Sequence, residues 1–465
     1  MISLRATLIA AVLLLSAPTP AENTASPASD AVYLIGGTVI SLVPGQMPFR
    51  ASVKIEGGRI AAIGPRLFIP RGARTVDVTG RYVLPGFIDM HAHVTFLRHP
   101  GNPHNPGYDR KTSEQVLKAL LAYGVTTIRN PAAPPAESVA LRDDVENGIV
   151  VGPRIRTAGW PLNGHPATAA AIGAEVGRQC ALRVDYMKVY ANSTPAQTAA
   201  AIGAAHSCGI KVIGHLQATD WITAANEGID FVTHGVSWSA SLLPPDKRAE
   251  YIRRSEASGS IRARIFWLES VDVNGPEMDL TIAALKRHHV SDDPTLVAYE
   301  TKFIPQPKYR SAANVGIAPP ALRESWIEND LTGDWTADDY ARMKRAWPKM
   351  LAIIGRYYRE GVMLTTGTDL PNRFVSPGVS LDQEMALLHQ CGIPNDAILA
   401  MATRNAAEAL GLQADIGSLV AGKRADLVVL DKNPLIDIRN AGAVFLVVAK
   451  GRLFHPHALL QEAER

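Results

Sequence analysis

The spacing of apolar residues changes character twice along the chain. From residue 31 to 84 it runs in short β-rich stretches, Ala31–Ile40, Ala51–Glu56, Arg59–Gly64 and Arg74–Thr79, broken by glycines. The far end returns to that texture in Ala425–Asp431 and Ala443–Ala449. Two β-rich ends around a different middle predict one small β domain assembled from both termini, residues 31–84 and 413–465. The middle, 85–412, alternates short apolar strands with helical stretches, the pattern of repeated β-α units and a parallel sheet. The strands expected are Gly86–His91, Val125–Arg129, Arg154–Ala158, Tyr186–Tyr190, Lys211–His215, Phe231–His234, Asp293–Ala298 and Val362–Gly367. Helical stretches such as Thr112–Tyr123, Pro195–Cys208, Asp220–Glu227 and Ala337–Glu360 separate them. Eight such units are the count of a (β/α)8 TIM-type barrel, so the fold class expected is α/β.

The N-terminus departs from this pattern. Arg5 precedes the apolar run Ala6–Ala17, which is short for a bilayer span, and small residues and prolines follow it. This reads as a secretory signal peptide over 1–21, cleaved after Ala21, with a linker over 22–30; the alternative is a short membrane anchor. The mature protein is then exported, periplasmic or secreted, with no later membrane span. Composition adds little: 465 residues, 47% hydrophobic, 20% charged and a net charge of +3 exclude neither a large core nor an enzyme. They give no reason to expect a nucleic-acid partner. The sequence leaves a homo-oligomer open. The cysteines Cys180, Cys208 and Cys391 lack zinc-thiolate spacing and read mostly as buried small hydrophobes, with one disulfide open.

Chemistry concentrates at the expected strand ends. His91 and His93 close the first middle strand, and i, i+2 residues of a strand share a face, so both rings can meet one metal ion. Lys188 stands in the apolar fourth strand, His215 ends the fifth, His234 the sixth, and Asp369 follows the eighth. In a barrel these ends form one rim. Each residue alone has an ordinary reading: a surface or core histidine, a snorkelling lysine, a turn-forming aspartate. Together, four imidazoles, a carboxylate and a lysine make a site for one or two divalent metals, with zinc the default for nitrogen-rich ligation.

The residues Pro85-Gly-Phe-Ile-Asp-Met-His-Ala-His93, Lys188, His215, Thr233-His-Gly235 and Gly367-Thr-Asp369 resemble those of the metal-dependent amidohydrolase superfamily. Within it they resemble the branch of imidazolonepropionase-like proteins and Xaa-Pro or Xaa-Arg dipeptidases. The tail Ala402–Gly411 and Gly417–Asp431 matches too, so the resemblance spans 31–455. It implies a barrel flanked by a β-sandwich from both chain ends. It also implies a binuclear site, with carbamylated Lys188 bridging two metals, His91, His93 and Asp369 on one and His215 and His234 on the other. An uncarbamylated Lys188 beside one metal is the alternative.

The reaction so implied is hydrolysis of an amide or peptide C–N bond in an N-acyl amino acid or dipeptide-like substrate. Metal-activated hydroxide attacks, with Asp369 as general base. A lactone, ester or cyclic amide suits the same site, as does an isomerising or carbon–carbon reaction, and a non-catalytic binding protein on a degenerate barrel is the remaining reading. His165, in Trp160–Pro166, and Tyr190, two residues after Lys188, are substrate-contact candidates; each is equally a loop or packing residue. Relatives often carry Arg-Asp where this chain has Arg129-Asn130, and a second histidine where it has Gln217. Five of the seven tryptophans lie between Trp238 and Trp347 and predict either an aromatic pocket or ordinary helix packing.

Overall fold

The computed structural model describes residues 31–97, 107–328 and 330–464. The expected signal peptide and linker lie outside these residues. The two β-rich ends meet in one mixed eight-stranded sheet. The N-terminal segment supplies β1 (Val32–Val39), β2 (Phe49–Glu56), β3 (Arg59–Gly64), β4 (Arg74–Asp77) and β5 (Tyr82–Pro85). The chain then runs through eight further strands: β6 (Phe87–Asp89), β7 (Val125–Asn130), β8 (Arg154–Thr157), β9 (Tyr186–Val189), β10 (Lys211–Gly214), β11 (Phe231–Thr233), β12 (Ser291–Asp293) and β13 (Met363–Leu364). The C-terminal segment completes the first sheet with β14 (Leu427–Leu430), β15 (Val444–Ala449) and β16 (Arg452–Phe454). β14 pairs antiparallel with β5 from Leu427 opposite Pro85 to Leu430 opposite Tyr82. Leu34, Val53 and Val83 from one chain end share a buried core with Leu427, Val429 and Val448 from the other. Burying one such side chain contributes about 1.5–3 kcal/mol, which makes the joint worth forming across so long a loop.

The middle segment is α/β with parallel strands. β6-β7-β8 form a three-stranded sheet and β9 to β13 a five-stranded one. Parallel bridges Ala158–Tyr186 and Leu162–Val189 link β8 to β9 and the residues beyond them, and Ala92–Leu370 links the segments after β6 and β13. β9 is buried at all four positions, Tyr-Met-Lys-Val, as a strand covered on both faces should be. Met187 joins the core under the helices, while Tyr186 packs with Ile88, Ile213 and Phe231 on the other face. Lys188 therefore lies two residues on from a core tyrosine, on the Tyr186 face.

One expected strand is misplaced. Asp293–Ala298 is not a strand: β12 ends at Asp293, Pro294 stops the ladder, and Leu296–Phe303 is a helix. Thr295 turns the chain with φ of 49°, a left-handed value that a β-branched residue adopts only where its surroundings impose it. The apolar Leu-Val-Ala-Tyr run suits a buried helix as well as a strand. The cysteine reading also changes. Cys180 and Cys208, at the C-terminal ends of helices Ala169–Ala181 and Pro195–Ser207, form a disulfide, and Cys391 is buried and free. The C-terminal segment ends in a helix, Pro456–Ala463, that packs on helix Arg110–Ala122 through Leu459, Leu121 and Ala122.

Candidate metal centre

The strand ends bring the expected residues together. β6 stops at Asp89, but Ala92 continues into the bridge with Leu370, so the alternation persists and His91 and His93 stay on one side, ring centroids 5.4 Å apart. His91 Nε2 lies 3.4 Å and His93 Nε2 3.6 Å from Asp369 Oδ1. The His234 ring is 4.8 Å from that of His91 and 4.2 Å from that of His215. Tyr190 packs on His215 at 4.3 Å. Two of these positions have left-handed backbones, His234 (φ 76°) and Asp369 (φ 56°), which turns both chains sharply where they leave the sheet. His165 is not brought into the cluster: it stands exposed on the loop after β8. That loop is tied to the loop after β9, where Asn192 N donates to Asn163 Oδ1 at 3.0 Å.

A second ring of groups fixes the first. His91 Nδ1 donates to Asp293 Oδ2 at 2.6 Å, which points Nε2 and its lone pair at Asp369. His93 Nδ1 donates to the Ala132 carbonyl at 3.0 Å, and His234 Nδ1 meets Thr295 Oγ1 at 2.8 Å. The other oxygen of Asp293 pairs with Arg129, whose Nε donates to the Met90 carbonyl at 2.7 Å. Asp89 receives His91 N at 3.0 Å and Thr368 Oγ1 at 2.7 Å, tying the segments that carry His91 and Asp369 to each other. Gly367 leaves the space these groups need: a Cβ there would lie 2.9 Å from His91 Cβ and 3.2 Å from Asp293 Cβ.

Asp293, Arg129 and Asp89 were not among the residues expected from sequence. The signal for Asp293 was present: a residue before proline ends a ladder, so Pro294 puts Asp292 and Asp293 at a strand's C-terminal end. Asp89 is the last residue of β6 and Arg129 the last but one of β7, and neither was given a role from the sequence.

The electrostatics suit cation binding. Burial holds His91, His215 and His234 well below the ordinary histidine value, so they are neutral and carry free lone pairs at pH 7. Burial brings Lys188 down to about 7, against the pull of Asp293. Its Nζ has no hydrogen-bond partner, an unsatisfied buried amine in the midst of ligand-type side chains. Burial opposes charge on Asp369 too, but the field of its neighbours, the Lys302 ammonium among them, outweighs it and holds the carboxyl far below the usual range. His91, His93 and Asp369 each offer an atom, all within 4.8 Å of one another, a donor set suited to a divalent transition metal. His93 and Asp369 are 28% and 16% exposed in their side chains while His91 is 1%, so the cluster is reached from the side of the first two.

The tryptophans after β11 are buried, as helix packing requires. Trp267 Nε1 donates to the Ser239 carbonyl at 2.7 Å, and Trp238 Nε1 donates to Tyr299 Oη at 2.9 Å. Tyr299 alone of this group reaches the metal-ligand cluster, 6.2 Å from the His234 ring. A separate cavity of about 670 Å³, lined by Ile40, Met363, Met401 and Arg404, lies at the opposite ends of the strands and holds none of this chemistry.

A sequence model of the amidohydrolase family matches residues 82–454, which takes in every residue of the metal-ligand cluster. The chain belongs to that family. It is 32% identical over 137 residues to the dihydroorotase of Mycobacterium tuberculosis, 28% of this chain and 29% of that one, so it spans under a third of that relative's length. The imidazolonepropionase of Pseudomonas paraeruginosa is 25% identical over 390 residues, 80% of this chain and 85% of its own. The crystal structure of a Xaa-Pro dipeptidase with bound methionine in the active site superposes with a TM-score of 0.66 at 19% identity, covering 91% of this chain and 100% of that one. At that identity the likeness concerns the fold.

Proposed function

We propose that this amidohydrolase hydrolyses the amide or peptide C–N bond of an N-acyl amino acid or dipeptide-like substrate. The observation that carries the reading is the unpartnered, buried Lys188 Nζ within electrostatic reach of His91, His215, His234 and Asp369. Two divalent metals, zinc for preference, would be held by His91, His93 and Asp369 and by His215 and His234, with Lys188 as a carbamate ligand. A lysine brought down to about 7 is substantially neutral at physiological pH, and the neutral amine is the form that reacts with carbon dioxide. We read the eight parallel strands as a closed barrel, supported by the bridges at both joins, and the mixed sheet beside it as the sandwich from both chain ends.

When bound, these metals would supply a water acidified to about pKa 7 and polarisation of the scissile carbonyl. The chain's own groups do the rest. Asp369 turns Oδ1 to the His91–His93 pair, with Oδ2 3.9 Å from His234 Nδ1, and takes the water's proton and passes it to the leaving amine. Burial raises the Tyr190 hydroxyl, keeping it a donor for the substrate's carbonyl oxygen. His165, at the rim, is assigned to the distal part of the substrate. Export is part of the proposal, supported by the N-terminal apolar run and by a disulfide of the kind that persists in oxidising compartments.

The test is metal analysis after gentle purification, then turnover of N-acyl amino acids, dipeptides and lactones with added Zn²⁺. Bound metal and preference for amides are expected; near-zero metal, or a clear preference for lactones, overturns the reading. Asp369→Asn at full metal occupancy is expected to lose about 10²–10⁴-fold in turnover. Near wild-type turnover removes Asp369 from its role.

A further inference from the structure

Two cations near the metal centre lack a counter-ion. Arg264, on helix Ser260–Ser270, is 9% exposed, and its Nε has no hydrogen-bond partner. Lys302, on helix Leu296–Phe303, is half-buried. Among the described residues neither has a carboxylate within ion-pair distance. The other two buried arginines among the described residues do not behave this way. Arg129 pairs with Asp293, and Arg154 with Glu146 and Asp426. A buried cation without a partner carries a penalty of several kcal/mol unless something else answers it.

The placement says what would answer it. The Arg264 guanidinium carbon lies 5.0 Å from the centre of the Trp238 ring, and Lys302 Nζ lies 5.8 Å from that of Tyr299. Those two rings are joined by the Trp238–Tyr299 hydrogen bond, and Tyr299 borders His234. The cations thus stand on one aromatic wall whose inner edge is the metal-ligand cluster. The charge of Arg264 bears on Tyr190 and His215, and that of Lys302 on Asp369 and His234, so both lie within electrostatic reach of the reacting centre. A guanidinium fork matches a planar carboxylate with two parallel hydrogen bonds.

We propose that Arg264 and Lys302 form a subsite for a carboxylate of the substrate, next to the scissile bond, so that the preferred substrates are acids. This rests on the proposed function. It deepens that reading by naming the residues that would bind the carboxylate such substrates carry. Arg264 and Lys302 act by binding and positioning; Asp369 keeps the proton transfer.

The test compares N-benzoylglycine with N-benzoylglycinamide as substrates of the metal-loaded protein. It also compares N-(benzenesulfonyl)glycine with its primary amide as uncleaved probes by calorimetry. In the wild type the acids are expected to win by about ten- to a hundredfold, in kcat/KM and in affinity. In Arg264→Met and Lys302→Met the acid-to-amide ratio falls toward one, mainly through KM. A wild-type ratio near one, or a ratio unchanged in both variants, overturns the subsite. The thermal midpoint of Arg264→Met should not fall, since the variant removes an uncompensated buried charge; a large fall with an unchanged ratio assigns Arg264 to packing instead. If wild-type protein binds the sulfonyl acid but cleaves nothing, the subsite stands and the hydrolytic reading fails.

Discussion

Asp293→Asn changes one atom type in a carboxylate that serves two buried partners. Its Oδ2 accepts from His91 Nδ1 at 2.6 Å and its Oδ1 pairs with Arg129, whose side chain is 0% exposed. Asparagine has one acceptor and one donor in place of two acceptors. If the amide oxygen keeps Arg129, the amide nitrogen faces His91 Nδ1, which must then become the acceptor. The imidazole proton moves to Nε2, the atom aimed at Asp369, and the lone pair needed for a metal is lost. Groups behind a metal ligand typically carry about 10–100-fold in affinity or activity, and that is the loss expected here. Stability falls as well, because breaking a buried ion pair by removing one charge costs about 3–5 kcal/mol. With an unfolding entropy of about 2.1 cal/mol/K per residue, a 465-residue chain loses roughly 3–5 °C in thermal midpoint. The assay is metal titration by calorimetry plus differential scanning calorimetry of both proteins. Wild-type metal affinity together with an unchanged midpoint would refute the reasoning that Asp293 sets the His91 tautomer and neutralises Arg129.

Gly367→Ala should lower metal content and cut turnover by more than tenfold, since its Cβ would press on His91 and Asp293; overpacking of this kind costs about 1–3 kcal/mol. Gly173→Ala, on helix Ala169–Ala181 with open space around it, is the control and should stabilise by about 0.5–1 kcal/mol. Glu384 is buried, with Oε2 receiving Val297 N at 2.7 Å and Oε1 unpartnered, and burial raises its carboxyl to about 8. The folded state then holds a proton that the unfolded state has lost above its ordinary value. Its contribution is full below about pH 4.5 and declines by about 1.4 kcal/mol per pH unit up to about pH 8. Thermal midpoints from pH 5 to 8 should show Glu384→Gln with a shallower decline than wild type, and parallel curves would exclude the effect. The Cys180–Cys208 bond closes a loop of 28 residues, worth about 3.5 kcal/mol by loop entropy, so Cys180→Ser should lower the midpoint by a few degrees. A thiol reductant should reproduce the shift in the wild type and not in the variant.

What was legible in the sequence followed from periodicity. Strands buried on both faces announce themselves as apolar runs, and a polar residue at the end of such a run stands out. His91, His93, His215, His234 and Asp369 were found that way, and the structure brings them together. Lys188 stood out inside its strand for the same reason. Asp293 was lost because a Leu-Val-Ala run beyond Pro294 looked like strand, which put the aspartate at the wrong end of the element. Arg264 shares its helix with Arg262 and Glu269, and Lys302 shares its helix with Glu300, so neither stands out by its local pattern. Only tertiary placement shows that these two have no carboxylate partner among the described residues. The disulfide was open in sequence because which cysteines approach each other depends on how neighbouring helices pack.

The pairing of β5 with β14 joins residues about 345 positions apart at the point where the chain passes from the mixed sheet into β6. While the chain is being synthesised, β5 therefore waits with an open edge until residues 427–449 emerge. An unpaired apolar edge is a template for association between chains. A chain stopped before residue 413 should aggregate rather than accumulate as a smaller active form. The last tenth of the protein, which contributes no side chain to the metal centre, thus decides whether the rest of it survives translation.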